Sequence, residues 1–458
     1  MAFGSARPDQ SMARAGILTA TACVCLSWAL WSPVASANIL YPALSVLAGT
    51  SLLHGLFTGV RISPNLRRAS VAYSVFAVGW LAYALARGNP GAWHQSFVWA
   101  AMPVVWFCWI RGFSARSVPT ILSTITVMTI VVSGAILIYV GGNLGLIPFT
   151  LPQSLLAGQG TGIDLGGGGV ASTTIRFFGL STLTAAGPFV LAAAIAPADD
   201  WLPRRSLLWT ASAMALLASL VAGRRAIAIV MVLAPLLTLV INYFLRPAQE
   251  RRFRIPRWVV GWSALWAVLI VFAGQSTLGQ RATESIQGAL YTYLQLGSVP
   301  TGRKSANDVI RVVQARKLVD GWWLHPLVGS GPGALLPSGF TRSDDRPWMF
   351  ELQYHQTLFS VGLLGMMLLL VVVIFAGKAI REAALDHVHS PSILAATVAG
   401  SALLLANASN PYLQAIGHGW GVALPLGVAN AAWALNHPAP RGAVGEPVQS
   451  VSALSGDP

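Results

Sequence analysis

Long apolar segments separated by short polar connections dominate the hydrophobic pattern of this chain. Each is close to the about 20 residues that an α-helix needs to cross a bilayer. Each run is continuously apolar, whereas the strands of outer-membrane barrels alternate, so the pattern predicts an all-α integral membrane protein. We count twelve such segments: residues 15–31, 37–57, 69–86, 92–110, 119–140, 178–197, 206–222, 225–245, 257–273, 355–377, 391–408 and 413–435.

Composition supports the same class of protein. Of the 458 residues, 55% are hydrophobic and only 10% are charged, which exceeds the apolar content that a soluble core requires. The first segment, followed by PVASAN, also resembles a secretory signal, but its length and the immediate second segment favour a transmembrane helix. The three cysteines all lie in apolar segments, which indicates neither a disulfide framework nor a thiolate metal site.

One long polar interval divides the chain. Residues 1–273 carry nine predicted spans, 274–354 form a large loop, 355–435 carry three more spans, and 436–458 form a tail that is predicted to be disordered. Within the loop, residues 307–324 predict an amphipathic helix on the membrane surface. Its predicted apolar face consists of Val312, Ala315, Val319, Trp322 and Trp323.

The distribution of basic residues predicts the orientation. With a cytoplasmic N-terminus, 17 of the 29 Lys and Arg residues fall on the cytoplasmic face, as the positive-inside rule requires. Eight more lie in the long loop, whose length exempts it from that rule. We therefore predict that both termini are cytoplasmic and that the long loop is on the outer face. Short outer connections hold four basic residues: Arg87, Arg176, Arg224 and Arg225.

Two adjacent arginines in VAGRRAIAIV stand on the outer face with almost no loop around them. Arg224 and Arg225 have two interpretations: a snorkelling pair at the lipid headgroups, or an anion site. Their pairing beside Gly223 favours the anion site. The chain has 26 arginines and only three lysines, and arginine suits bidentate phosphate recognition.

The segment HPLVGSGPG, residues 325–333, carries three glycines at alternate positions. Backbone N–H groups at Gly329, Gly331 and Gly333 are candidates for a phosphate cradle. The alternative is a turn that returns the chain to the bilayer. A nucleotide P-loop is excluded because no Gly-Lys-Ser or Gly-Lys-Thr follows.

His355 and Gln356 lie at the outer mouth of the tenth span. Imidazole is a common general base near neutral pH, so His355 is a candidate for that role. No carboxylate lies in the middle of an apolar segment, which argues against a proton or sodium relay. Nor do the outer loops carry a pair of carboxylates at metal-binding spacing, so the sequence predicts chemistry without a metal.

Four of these sites together resemble the O-antigen ligase and O-antigen polymerase superfamily of bacterial inner membranes. They are Arg176 in RFFGL, Arg225 in GRRA, Arg311 ahead of HPLVGSGPG, and His355 in HQTLFSVGLLG. The resemblance covers roughly residues 170 to 415. Ligases of this family commonly have Ser-Arg where GRRA stands and a small polar residue after the histidine, so Arg224 and Gln356 depart from the pattern.

The resemblance implies a metal-independent, inverting glycosyltransferase with a GT-C-like fold and no cofactor. Its donor would be a glycan on undecaprenyl pyrophosphate at the periplasmic face. His355 would accept the proton of the acceptor hydroxyl, while Arg225 and Arg311 would hold the departing pyrophosphate. Further substrate contacts are expected at Arg176, Arg224, Arg303, Gln356, Tyr354, Gly329, Gly331, Gly333, Trp322 and Trp323. The aromatic residues among them are equally candidates for membrane anchors.

The nature of the acceptor distinguishes the alternatives. A ligase transfers to lipid A-core, a polymerase to another carrier-linked repeat unit, and a protein oligosaccharyltransferase to a protein hydroxyl. The short C-terminal tail argues against protein transfer, and the single long loop favours the ligase over the polymerase.

A transporter or flippase of an anionic lipid-linked glycan is a different class that stays open. It would be expected to have internal repeats and broken helices, and the two halves show no convincing repeat. Membrane lipids are expected partners, and nucleic acid is not.

Overall fold

The computed structural model is a bundle of helices. The residues that it describes are 8–34, 37–143, 145–156, 159, 161–164, 174–221, 224–247, 261, 306–385 and 388–437. The predicted ninth span, residues 257–273, and the tail from residue 438 onwards lie outside the described residues, except for the single helical residue 261.

Fourteen α-helices occur in the described part of the chain. They are α1 (Pro8–Trp31), α2 (Ala37–Thr58), α3 (Pro64–Ala86), α4 (Ala92–Ser96), α5 (Met102–Arg111), α6 (Val118–Asn143), α7 (Gln153–Leu156), α8 (Leu183–Ile195), α9 (Arg205–Val221), α10 (Arg225–Leu245), α11 (Ala306–Trp323), α12 (Gln353–Leu385), α13 (Ser390–Asn407) and α14 (Trp420–Asn436). A π-helical turn (Phe97–Ala101) joins α4 to α5, and a 3-10 helix (Phe178–Thr182) precedes α8.

Eight helices are long and apolar enough to cross a membrane: Ala13–Trp31, Asn38–Thr58, Pro64–Ala86, Val118–Asn143, Phe178–Ile195, Ala226–Leu245, Gln353–Leu385 and Ser390–Asn407. The chain is therefore a helical membrane protein, as its sequence predicts. Three other predicted spans correspond to shorter elements, because a π-turn interrupts residues 92–110 and because α9 and α14 have 17 residues each.

Small side chains form the centre of the bundle. Helix α8 has the sequence LTAAGPFVLAAAI and is buried from Leu183 to Ala194, because α9, α10 and α13 pack around it. A helix that is apolar on every side is suited to such a position. Alanine and glycine let the helix backbones approach closely, which is how membrane helices gain packing energy where lipid is as apolar as they are.

One short antiparallel ribbon is an exception to the all-α prediction. Strands β1 (Gly162–Asp164) and β2 (Thr174–Arg176) pair with Gly162 opposite Arg176. The remaining regular structure in the described residues is helical.

The predicted helix is present as α11, and the face that it packs against the rest of the protein is not its predicted apolar face. Gln314, Leu318 and Gly321 face the protein, whereas Val312 and Trp323 are exposed. A polar residue lies inward because the Gln314 side-chain oxygen accepts from the amides of Glu351 and Leu352, each at 2.9 Å. Apolar periodicity alone does not reveal that partner.

Helix α12 is broken at Gly362. This residue has φ 61° and ψ −168°, a combination that is essentially restricted to glycine. A break frees backbone groups, and these must find partners away from water. Segment 325–333 supplies them, because Ser330 N donates to Phe359 O and Leu363 N donates to Pro326 O, each at 2.9 Å.

Segment 325–333 lies against α3 as well as α12. Trp80 Nε1 donates to Val328 O at 3.0 Å, and Asn89 Nδ2 donates to Ser330 O at 3.0 Å. A side chain at Gly329 would collide with the backbone of Ser360 and the residue after it. The glycines therefore serve a close approach of two backbones.

We expect Gly362→Ala to destabilise the protein by at least about 3 kcal/mol, from backbone strain and from a clash with Leu327 O. The matched control is Gly377→Ala in the same helix, where an added Cβ meets nothing within 4 Å. Thermal unfolding of both purified variants in detergent measures the difference. Equal melting temperatures would contradict this account of the break.

Candidate functional site

The segments that carry the predicted site residues meet at one end of the bundle. These are the starts of α10 and α12, α11, and the 3-10 helix that begins two residues after Arg176. The described basic residues that the sequence assigns to the cytoplasmic face lie around the opposite helix ends, apart from Arg14 within α1: Arg61, Arg67, Arg68, Arg111, Arg116, Arg204, Arg205, Arg246, Lys378 and Arg381. The candidate site thus lies across the bundle from most of these positive charges.

The connector between α13 and α14, residues 408–419, joins these segments. Gln414 Nε2 donates to Gln353 Oε1 and to Gln356 Oε1, each at 2.7 Å. His418 Nε2 lies 2.7 Å from Ser181 Oγ. Tyr412 packs against the apolar cluster that contains Ala226, next to the start of α10. The connector is therefore the common neighbour of three predicted site segments.

Arg311 contacts the same region through a carboxylate. Its Nε donates to Glu351 Oε2 at 2.8 Å, and its Nη2 lies 3.5 Å from Asn410 Oδ1 in the connector. Arg342 donates to the other oxygen of Glu351, from Nε at 3.0 Å and from Nη2 at 2.6 Å. Two guanidinium groups thus share one carboxylate, which leaves this trio with a net positive charge.

The electrostatics of Glu351 follow from this arrangement. Burial alone would raise the pKa of its carboxyl, but the hydrogen bonds and charges of Arg311 and Arg342 outweigh burial, so the pKa lies below its ordinary value. The side chains of Arg311 and Glu351 are 20% and 25% exposed, so solvent screens this interaction less than it would a surface pair.

We expect Glu351→Gln to lower stability at pH 7 by about 1–3 kcal/mol, because hydrogen bonds to charged groups are lost. A carboxylate with a depressed pKa contributes stability above its unfolded-state value, about 4.3 for glutamate, and loses it as pH falls through the folded-state pKa. The difference in melting temperature between wild type and variant should therefore shrink on acidification. Asp345→Asn, an exposed carboxylate nearby, is the control. A difference that is constant with pH would contradict this ion-pair account.

His355 lies on the flank of α12 that adjoins α11. Successive helical residues are about 100° apart, so the flank of His355 also carries Leu352 and Phe359, which pack in the cluster containing Leu318 of α11. The ring is half-buried, and none of the hydrogen bonds within the described part of the chain involves it. His355 is four residues beyond Glu351, which precedes the first residue of α12.

Gln356 lies on a different side of α12 from His355 and has a clear structural role. Its Oε1 accepts from Phe350 N at 3.3 Å, and its Nε2 donates to Trp348 O at 3.2 Å. These bonds fix the chain that leads into α12. Gln356 is therefore next to the candidate base His355, and its side chain holds the backbone that leads into α12.

Among the other predicted arginines, the structure describes Arg224 with its side chain, Arg225 and Arg176 by their backbones alone, and Arg303 not at all. Arg224 is half-buried and is the N-cap residue of α10, where its carbonyl accepts from Ile227 N at 3.1 Å. Arg225 is the first residue of α10 and Arg176 the last of β2, but both side chains lie outside the described residues. Arg303 lies wholly outside them.

The glycine segment offers fewer donors than the sequence suggests. Gly329 N donates to His325 O and Gly331 N to Ser360 O, each at 2.9 Å. Gly333 contributes its carbonyl to Gly91 N at 3.0 Å. Two of the three amides predicted to cradle a phosphate therefore already bond to backbone carbonyls of the protein.

The predicted aromatic residues lie around the mouth of α12. Tyr354 donates its hydroxyl to Leu404 O at 2.6 Å. Trp322 donates to Pro326 O at 3.0 Å and lies against Trp323, with ring centroids 4.5 Å apart. Trp323 is 64% exposed, so it is open to lipid or substrate.

Sequence reasoning missed Glu351, Arg342 and the connector. Arg342 and Glu351 are nine residues apart on the chain, and Glu351 and Arg311 are forty apart, so no local spacing relates them. The connector sequence NASNPYLQ, residues 407–414, is a polar interruption between two apolar segments. That interruption was the available signal, because amides inside a membrane protein require partners.

These features define a helical membrane protein with an arginine-rich polar site at one end of its bundle. In the described part of the chain, no group of three or more His, Cys, Asp or Glu side chains is placed to hold a metal ion. No protein-family model matches the chain, and the comparison with curated proteins gives no match. The resemblance to O-antigen ligases and polymerases therefore rests on the quoted residues alone.

Proposed function

We propose that the chain is a membrane-embedded glycosyltransferase, an O-antigen ligase that transfers glycan from undecaprenyl pyrophosphate to a sugar hydroxyl of lipid A-core. One observation carries the proposal: Arg311 and Arg342 converge on Glu351, which precedes His355 by four residues at the entrance to α12. Two guanidinium groups and a half-buried imidazole on neighbouring segments of the chain suit a reaction with an anionic leaving group and a hydroxyl nucleophile.

In the proposed reaction, the acceptor hydroxyl attacks the anomeric carbon of the donor glycan. His355 takes the hydroxyl proton as the new C–O bond forms, and the bond from the anomeric carbon to the pyrophosphate oxygen breaks. Direct displacement inverts that carbon. Arg225 and Arg311 stabilise the charge that develops on the pyrophosphate, and Arg342 joins this group through Glu351.

The proposed membrane arrangement is twelve spans in a GT-C-like fold. The candidate site would face the periplasm, and both termini would be cytoplasmic in the bacterial inner membrane. The clustering of basic residues at the opposite end of the bundle supports this orientation through the positive-inside rule. The exposed Trp323 suits a loop that lies at the lipid surface where both lipid-linked substrates arrive.

A transporter of anionic lipid-linked glycan is the second candidate, and the break in α12 favours it. Transporters use broken helices to present backbone groups to substrates. Here Phe359 O, Ser360 O, Leu363 N and Leu364 N at the break all bond to segment 325–333. Because these groups already have partners, the break offers little for binding a substrate, and the glycosyltransferase is the stronger proposal.

Electrophoresis of lipopolysaccharide tests the proposal in a strain without its own copy, with carrier-linked glycan measured in the same cells. For a ligase we expect bare lipid A-core and accumulation of long carrier-linked polymer, both reversed by the wild-type chain. Lipid A-core that bears a single repeat unit would identify a polymerase. Carrier-linked glycan confined to the cytoplasmic leaflet would identify a transporter.

A further inference from the structure

Segment 325–333 carries exposed apolar side chains beside the break in α12. Leu327 is 59% exposed and Val328 is 40% exposed, although their backbones are packed between α3 and α12. Trp323 and Leu324, at the end of α11, are exposed as well. Neighbouring exposed apolar side chains of this size mark a surface that contacts a partner or a membrane.

The depth of Val328 in the membrane follows from α3. Arg87 lies nineteen residues beyond Arg68, with no charged residue between them. Charged side chains are costly in hydrocarbon, and nineteen helical residues span about 28 Å, which matches a hydrocarbon core about 30 Å thick. Trp80 Nε1 donates to Val328 O at 3.0 Å. Because Trp80 is about 18 Å along the helix from Arg68, Val328 lies about 10 Å inside the boundary near Arg87.

Helix α12 gives a similar depth independently. Leu364 N donates to Leu327 O at 2.9 Å. From Leu364 the helix continues without a charged residue to Lys378, fourteen residues or about 21 Å further along. Asn65 Nδ2 donates to Glu382 Oε1 at 2.6 Å, so the ends of α3 and α12 that carry these cations are at one level. Leu327 thus lies about 9 Å inside a hydrocarbon core about 30 Å thick.

The backbone of this segment is adapted to a position below the headgroups. Irregular backbone is tolerated at membrane depth where the protein supplies its hydrogen-bond partners. Every carbonyl from residue 325 to residue 330 accepts a hydrogen bond. The donors are, in order, Gly329 N, Leu363 N, Leu364 N, Trp80 Nε1, Tyr83 Oη and Asn89 Nδ2, at 2.9 to 3.4 Å. The amides of Leu327 and Val328 have no partner in the described part of the chain, as is usual where a helical turn begins.

We propose that residues 323–328 form a membrane anchor, whose side chains contact the acyl chains of the leaflet on the side of the candidate site. Leu327 and Val328 lie in the hydrocarbon, and Trp323 lies nearer the headgroups, where tryptophan is enriched. Arg87 is exposed at the end of α3 and marks the level of the lipid phosphates. Because the anchor continues directly from α11, it holds that helix against the bilayer. The anchor requires only a membrane protein and stands whether or not the chain transfers glycans.

Depth-dependent fluorescence quenching tests the anchor in the full-length chain, reconstituted in vesicles of phosphatidylcholine and phosphatidylglycerol. Alanine replaces the three native cysteines, and Leu327→Cys carries a bimane label. The vesicles contain a lipid with a nitroxide either on its headgroup or in the middle of its acyl chain. Because the label would lie about 10 Å below the headgroups, we expect the mid-chain nitroxide to quench it at least about twofold more strongly than the headgroup nitroxide.

Two control positions calibrate the depth. Val78 is 68% exposed on α3, two residues before Trp80, so a label on Val78→Cys should be quenched in the same proportions as the label on Leu327→Cys. A label on Arg87→Cys should be quenched more strongly by the headgroup nitroxide. Val328→Cys, labelled in the same way, should behave as Leu327→Cys does and replaces it if that variant does not fold.

Two results would overturn the proposal. Stronger quenching of the Leu327→Cys label by the headgroup nitroxide, or by iodide in the aqueous phase, would place the segment outside the hydrocarbon. Weak quenching by both nitroxides and by iodide would show that protein, rather than lipid, covers these side chains.

Discussion

His355→Ala is expected to reduce glycan transfer by about 100- to 10,000-fold, the range in which a general base contributes to a rate. The variant keeps the arginines and the backbone around α12, because no hydrogen bond in the described part of the chain depends on the imidazole. Substrate binding should therefore persist while turnover fails. Turnover and KM of the purified chain, with carrier-linked donor and lipid A-core, measure both quantities.

The matched control is His437→Ala. His437 is an exposed histidine just beyond α14, at the end of the bundle opposite the candidate site, where its ring stacks on Trp433. That variant should transfer glycan at the wild-type rate. If His355→Ala also retained wild-type turnover, the histidine would be a structural residue and the proposed mechanism would be wrong.

Arg311→Gln is expected to lower kcat/KM by about 100-fold or more, because it removes a charged donor from the departing pyrophosphate. It also leaves Glu351 with Arg342 as its remaining guanidinium partner among the described contacts. Arg311→Lys keeps the charge but loses the planar fork, so its activity should lie between those of the wild type and Arg311→Gln.

Arg316→Gln is the control for this experiment. Arg316 lies on the same helix, five residues further on, and is exposed, so it tests loss of an equal charge without loss of the Glu351 contact. Kinetics of the three variants at two ionic strengths would show whether charge in general or this contact matters. Equal losses for Arg311→Gln and Arg316→Gln would refute a specific role for Arg311.

The sequence predicts more about the residues of the candidate site than about the residues that hold them in place. His355 was a candidate because an imidazole stands out at the mouth of an apolar segment, and Arg311 was a candidate because the resemblance places an arginine ahead of HPLVGSGPG. Glu351 was not identifiable, because a single carboxylate in a polar loop gives no sign of its partners. Gln314 lies outside the apolar face that the periodicity predicts, yet it faces inward because two amides at the start of α12 require an acceptor.

The glycine segment illustrates the same limit. Alternate glycines in HPLVGSGPG predict close backbone approach, and such an approach occurs. The sequence left open whether these glycines cradle a phosphate or form a turn that returns the chain to the bilayer. In the fold, the partner is the break at Gly362, whose freed groups bond to this segment. Only the three-dimensional arrangement brings residues 325–333 against a helix that begins twenty residues later.

The sequence by itself determined the class of this protein, because the length and continuity of apolar runs follow from the thickness of the bilayer and the need to satisfy backbone polar groups within it. It also determined where charged residues are rare, and hence which arginines and which histidine are candidates for a function. Tertiary structure alone decided the partners: Glu351 for two arginines, the 408–419 connector for three segments, and Trp348 for Gly91. These partners lie between nine and more than two hundred residues apart, and the packing that brings them together depends on the shapes of whole helices rather than on any local pattern.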